Sequence, residues 1–104
     1  MTNLTLDDNG FLADFDAWNT SIAEQLAAQN HIELSDAHWE ILTLLRRFYQ
    51  TYNLSPSMRP LSKFIKQELG PDKASSIYLM QLFPQSPAKF AALIAGLPKP
   101  DNCL

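Results

Sequence analysis

The chain has 104 residues, 46% hydrophobic and 18% charged, and this composition predicts one small globular domain with a single core. Its apolar runs are too short to cross a bilayer, and its start, MTNLTLDDNG, lacks the basic residues and apolar stretch of a signal peptide. A single cysteine excludes an internal disulfide, so we expect a cytoplasmic protein with a reduced thiol.

The net charge of −3 is unevenly distributed. Residues 1–45 hold eight acidic residues and no Lys or Arg, which gives −8. Residues 46–104 hold all eight basic residues and three acidic ones, which gives +5. This pattern is typical of a domain whose oppositely charged halves attract each other, and a basic docking face in the second half is the alternative.

The first predicted element is a small amino-terminal β-hairpin. The short apolar segments LTL and FL flank the sequence DDNG at residues 7–10. Asn-Gly tolerates the positive φ angles that tight hairpin turns require. No other segment gives a convincing strand pattern.

Helical spacing then predicts a compact, mainly α bundle of about five helices. Asp16 is expected to cap the first helix, Ser35 to cap the second, and Ser86 to begin the fifth. The fourth covers KASSIYLMQLF. The apolar stripes are Trp18, Ile22 and Leu26 in the first, Ile41, Leu45, Phe48 and Tyr52 in the second, Leu61, Phe64, Ile65 and Leu69 in the third, and Phe90, Leu93, Ile94 and Leu97 in the fifth.

The final segment, GLPKPDNCL, is predicted to leave the bundle as an extended arm. Pro98 and Pro100 prevent the helix from continuing and favour a polyproline-like path. The expected division is therefore a helical domain at 1–97 and a mobile arm at 98–104 that carries Cys103. The residues assigned to the arm and its base are Gly96, Leu97, Pro98, Lys99 and Pro100.

Metal and cofactor chemistry have little support in this sequence. His31, His38 and Cys103 lack the paired spacing of zinc ligands, and no Gly-rich phosphate loop is present. His38 is expected to pack at the edge of the core rather than to act as a ligand or base. We therefore expect neither a metal nor an organic cofactor.

DNA binding is an alternative function of a different class. The second and third predicted helices resemble a helix-turn-helix, with Arg59, Lys63 and Lys66 near the position of a recognition helix. The intervening segment, YNLSPSMRP, is longer than the usual turn of that motif, and the acidic first half would oppose a polyanion. A helical bundle explains the same residues, and we favour it.

Several separate segments resemble the DsrC/TusE family of sulfur-relay proteins. They are, in chain order, DNGFL, LSDAHWEIL…RRFY, SPSMRPL, YLMQLFP, PAK and AGLPKPDNC, the last of which contains the penultimate cysteine. The sequence departs from the usual family pattern at Ser86 and Asn102, where glycine is common. The resemblance implies a helical fold with an amino-terminal hairpin and a mobile carboxy-terminal arm.

The resemblance also implies that Cys103 accepts sulfur as a persulfide. In the TusE branch the donor is a TusBCD-type complex, and the acceptor is an MnmA-type enzyme that thiolates the wobble uridine of tRNA. In the DsrC branch the partner is dissimilatory sulfite reductase, and a second cysteine lies ten residues before the terminal one, where this chain has Leu93. The resemblance therefore implies a single-cysteine, TusE-like sulfurtransferase, with a DsrC-like carrier or regulator in sulfite or sulfur-oxidation chemistry as the alternative.

Two basic residues inside the matched segments are candidates for partner binding. Arg59 lies in SPSMRPL and Lys89 lies in PAK. We expect them to flank the arm and to guide it to an acidic or anionic partner. The alternative is that Arg59 pairs with an acid of the amino-terminal half and only joins two helices.

Overall fold

Helices dominate the computed structural model, which describes residues 5–100. In this range the α-helices are α1 Thr20–Gln29, α2 Asp36–Tyr52, α3 Met58–Leu69, α4 Pro71–Ala74, α5 Ser76–Leu82 and α6 Pro87–Ile94. A 3-10 turn, Phe15–Ala17, precedes them. The predicted mainly helical fold is confirmed. No described helix combines the length and apolar character needed to cross a membrane.

The predicted amino-terminal hairpin does not form as two strands within residues 5–100. Leu6 and Leu12 make a single antiparallel bridge. The carboxylate of Asp7 accepts hydrogen bonds from the backbone N–H groups of Asn9 (2.8 Å) and Phe11 (3.0 Å), so a side chain closes the turn. The 3-10 turn begins soon after Leu12, and this leaves too little extended chain for a ladder.

The helix count and one helix start also differ from the prediction. Asp16 lies in the 3-10 turn, and Asn19 caps α1 by accepting from the N–H of Ile22 at 2.9 Å. The predicted fourth helix is divided at Ser75, whose backbone is extended (ψ 147°). The Ser75 hydroxyl accepts from the N–H of Tyr78 at 3.2 Å and begins α5, so the described chain has six α-helices rather than five.

The last helix, α6, lies at the centre of the fold. It packs against α1, α2, α3 and α5. Its small Ala91 and Ala92 are fully buried, and Leu93 and Ile94 are also buried. The second half of α6 is apolar and buried from Ala91 to Ile94, so its neighbours fix the point where the chain leaves the helix.

His38 joins the start of α2 to the end of α5. Its Nδ1 accepts a hydrogen bond from the N–H of Ser35 at 3.1 Å, so Nε2 carries the proton and donates to the carbonyl of Leu82 at 2.7 Å. The imidazole also meets the ring of Phe83 edge-on at 5.1 Å. The predicted position of His38 at the edge of the core is confirmed.

Replacing His38 should therefore destabilise the fold. We expect His38→Ala to lower the free energy of unfolding by about 1–3 kcal/mol, because the partly buried carbonyl of Leu82 loses its donor and the buried imidazole is lost. Urea denaturation measures the change. The control is His31→Asn, at an exposed residue with φ 60°, which should stay within about 0.5 kcal/mol of wild type. Equal losses in the two variants would contradict the structural role of His38.

Candidate functional site

The predicted sulfur acceptor, Cys103, lies outside the described residues 5–100. Within residues 5–100, the site consists of the base of the arm, from the end of α6 to Pro100. Its geometry fixes the place and direction from which the carboxy terminus starts.

The chain leaves α6 through a Schellman motif. The N–H of Leu97 donates to the carbonyl of Ala92 at 3.0 Å, and the N–H of Gly96 donates to that of Leu93 at 3.2 Å. Gly96 supplies the left-handed turn with φ +77°. Leu97 then returns to the core and is fully buried. Gly96 and Leu97 therefore belong to the folded body and form the root of the predicted arm.

Two side chains from other elements bind the last carbonyl groups of this turn. Nη1 of Arg46, in α2, donates to the carbonyl of Ala95 at 2.8 Å. Nε1 of Trp18 donates to the carbonyl of Ile94 at 2.8 Å. A cation and an N–H donor thus satisfy carbonyl groups that a helix end otherwise leaves without partners.

Trp18, Arg46 and Gly96 pack closely enough to act as one unit, which we call the arm clamp. The Arg46 guanidinium lies 3.8 Å from the ring centroid of Phe15 and 4.2 Å from that of Trp18, and it also donates to the carbonyl of Phe15 at 2.9 Å. Burial lowers the pKa of the Arg46 guanidinium, and the charge of Asp16 opposes this shift.

The described chain stays against the body beyond the arm clamp. The hydroxyl of Ser55, just before α3, donates to the carbonyl of Pro98 at 2.6 Å. Pro98 and Lys99 are exposed, whereas Pro100 is buried. The body thus contacts the predicted arm as far as Pro100, and residues 101–104 lie outside the described part.

Arg59 lies in an exposed groove between α3 and α5, which we call the basic groove. Its lining residues are Met58, Arg59, Ser62, Lys63, Lys66 and Ser76, around a volume of about 600 Å³. Arg59 follows Ser55 by four residues, so the groove begins near the arm base. Within residues 5–100, Arg59 pairs with no acidic side chain, and the ion pair considered as an alternative is not seen there.

Lys89 occupies a different position. It lies in the first turn of α6, and its Nζ is 5.6 Å from the ring centroid of Phe90. Six residues separate it from Ala95, which corresponds to about 9 Å along a helix axis. The two predicted partner-binding residues therefore lie on different elements, Arg59 on α3 and Lys89 at the start of α6, away from the end where the arm begins.

A family model, described as DsrC-like protein, matches residues 1–104. The chain belongs to the DsrC family. Among curated proteins it is 47% identical over 102 residues to the sulfurtransferase TusE of Buchnera aphidicola subsp. Acyrthosiphon pisum, covering 98% of this chain and 90% of that protein. It is 49% identical over 98 residues to the sulfurtransferase TusE homolog of Haemophilus influenzae, covering 94% and 90%.

Solved structures of DsrC proteins share the fold of this family member. The NMR structure of Allochromatium vinosum DsrC has a TM-score of 0.87 and 40% identity, covering 97% of this chain and 90% of that one. The oxidized DsrC γ-subunit of the Archaeoglobus fulgidus dissimilatory sulfite reductase has a TM-score of 0.82 and 43% identity, covering 97% and 92%. The predicted family is confirmed, and the TusE-named relatives confirm the predicted class, a sulfurtransferase of a sulfur relay.

Sequence reasoning missed the arm clamp of this DsrC-family chain. The sequence predicts Trp18 only as a member of an apolar stripe, and it gives Arg46 no role beyond the basic charge of residues 46–104. One signal was available, because Arg46 follows the buried Leu42 by four residues and so lies on the buried side of α2. A cation at that position needs acceptors inside the fold. Within residues 5–100, no group of three or more His, Cys, Asp or Glu could hold a metal ion.

The arm clamp predicts a large cost for a methyl group at position 96. A Cβ atom there would lie 2.5 Å from Cδ1 of Trp18 and 3.1 Å from Nη1 of Arg46, in addition to the strain of φ +77°. We expect Gly96→Ala to lower the free energy of unfolding by about 2–4 kcal/mol in urea denaturation.

Gly10→Ala provides the matched control. Gly10 also has a positive φ, +85°, but an added Cβ would meet nothing within 4 Å. We therefore expect only the conformational cost of about 1 kcal/mol. Equal decreases in the free energy of unfolding for the two alanine variants would show that close packing in the arm clamp does not contribute to stability.

Proposed function

We propose that Cys103 is the sulfur acceptor of this chain, and that the chain delivers sulfur for tRNA 2-thiouridine formation. The main support is that relatives named sulfurtransferase TusE match almost the full chain at 43–49% identity. The single cysteine, in the penultimate position, is the one thiol able to carry sulfur. Leu93, where a second cysteine would favour the DsrC-like alternative, is buried in α6.

The proposed transfer is a thiol–persulfide exchange. The Cys103 thiolate attacks the outer sulfur of a donor Cys–S–SH, the bond between the two donor sulfurs breaks, and the inner sulfur leaves as a thiolate. Cys103–S–SH then forms without net oxidation or reduction. In the next step an acceptor thiolate attacks the outer sulfur, and Cys103 leaves as the thiolate. The chain supplies one nucleophile, and the partners supply any further catalytic groups.

The proposed partners are a TusBCD-type donor complex and an MnmA-type tRNA thiouridylase. Because tRNA is modified in the cytoplasm, this proposal also assigns the chain to the cytoplasm. Residues 98–104 act as the mobile arm in this proposal, and the fixed end of α6 is its pivot. With Pro100 against the body, the four residues 101–104 would span about 12 Å at ~3.1 Å each in an extended path. Release of the Ser55–Pro98 contact would extend this to about 20 Å.

The test of Cys103 is intact mass after incubation with a persulfidated donor. We expect wild type to gain the mass of one sulfur atom and to lose it again on reduction, whereas Cys103→Ser gains nothing. Deletion of residues 101–104 should also abolish the gain while preserving the unfolding midpoint, because every described contact is retained. Sulfur uptake by Cys103→Ser would contradict the assignment.

Arg59 and Lys89 are proposed to guide the partner. We expect Arg59→Ala to slow sulfur transfer several-fold at low salt, because an exposed charge at an interface rim acts mainly on association. Lys89→Ala should have a smaller effect, because Lys89 is at the far end of α6. Alkylation of Cys103 by iodoacetamide controls for thiol reactivity and should not change. Equal transfer rates for wild type and both variants across a salt series would reject the guiding role.

A further inference from the structure

The basic groove carries positive charge that the described chain does not neutralise. Arg59, Lys63 and Lys66 are spaced by four and three residues, so they share one face of α3. No acidic residue lines the groove among the described residues. The ion pairs found in residues 5–100 are elsewhere: Arg47 pairs with Glu68 at 3.1 Å, and Lys73 pairs with Glu40 at 2.8 Å. The groove is therefore suited to an anionic partner.

Two large apolar side chains stand beside this groove on α5. Ile77 is 76% exposed and Met80 is 44% exposed, and their spacing of three residues places them on neighbouring turns. Ile77 directly follows Ser76, which lines the groove. We call this pair the apolar ridge. Apolar side chains next to an unneutralised basic face are characteristic of protein interaction surfaces.

The basic groove begins where the arm begins. Ser55 binds the carbonyl of Pro98, and Arg59 is four residues further along the chain. Their Cα atoms are at most about 14 Å apart, because an extended chain spans no more than ~3.6 Å per residue. A partner seated in the groove therefore lies beside the base of the arm.

A protein partner explains these features better than a nucleic acid does. None of the residues that line the groove is aromatic, so there is no platform on which a base could stack. The apolar ridge offers nothing to a phosphate backbone. The net charge of −3, with −8 in residues 1–45, also opposes a long polyanion. A short acidic peptide segment needs attraction only from the basic residues of the groove itself.

We propose that the basic groove and the apolar ridge bind an acidic, amphipathic segment of the protein that exchanges sulfur with Cys103. Acidic side chains of the segment pair with Arg59, Lys63 and Lys66, and its apolar side chains cover Ile77 and Met80. The partner's part in sulfur exchange rests on the function proposed above, whereas the docking itself does not require the thiol.

The test compares two double variants with the same change in charge. Lys63→Gln/Lys66→Gln removes two positive charges from the groove, and Gln29→Glu/Gln50→Glu adds two negative charges at exposed positions outside it. Affinity of the full chain is measured for a purified TusBCD-type complex, a purified MnmA-type enzyme and total tRNA, over a salt series. We expect the groove variant to weaken binding to at least one of the two proteins about tenfold at low salt. The control variant should change it less than about twofold.

Ile77→Ser distinguishes protein docking from binding of RNA. It should weaken the same protein several-fold and leave any tRNA affinity unchanged. Three results would overturn the proposal. In the first, neither protein binds the wild-type chain, and in the second, the two double variants weaken binding equally. In the third, the groove variant loses affinity for tRNA instead of affinity for a protein. The Cys103→Ser variant tests the sulfur function separately. It should bind the partner protein with wild-type affinity but accept no sulfur. Normal docking by a wild-type chain that takes up no sulfur would refute the function alone.

Discussion

The fold depends on one partly buried cation, the guanidinium of Arg46. From α2 it reaches the 3-10 turn through the carbonyl of Phe15 and the end of α6 through that of Ala95. Contact with the ring of Trp18 adds a cation–π interaction. Burial opposes the charge, as the lowered pKa of Arg46 indicates, so the two carbonyls and the negative end of α6 must compensate for lost hydration. Elements distant in sequence are joined at the point where the chain leaves the core.

The contacts of Arg46 hold the end of the last helix, α6, which lies at the centre of this small carrier. Because the carboxyl end of α6 is buried from Ala91 to Ile94 and packs against α1 and α2, it cannot move without disturbing them. The Schellman turn at Gly96 then reverses the chain so that Leu97 packs into the core and Pro98 reaches Ser55, which fixes the direction of the following segment. A rigid origin would limit the volume that the proposed terminal arm has to search before a partner binds.

Local patterns predicted the elements, whereas long-range contacts could not be read from the sequence. The stripe of α2 and the Ser35 cap are local, and both are found in the structure, except that Tyr52, in the last turn of α2, is 55% exposed. Ser75 breaks a helix inside an otherwise continuous pattern, because its hydroxyl begins α5. The contacts of Arg46 with Ala95 and of Trp18 with Ile94 span 49 and 76 residues, which no periodicity reveals. Cys103 was predicted as the sulfur acceptor from its motif and stays a prediction. The cations of α3 were noted in the sequence without the exposed Ile77 and Met80 of α5.

The arrangement separates recognition from chemistry. In the proposed arrangement, a partner docked in the basic groove would hold its own thiol near the arm base, so transfer to Cys103 would proceed at a high effective concentration rather than by free collision. Exposed charges and two apolar side chains give only modest affinity, which suits a carrier that must leave one partner to reach the next. The arm clamp would support both steps, because it keeps the end of α6, where the arm begins, in the same place for every partner that uses this surface.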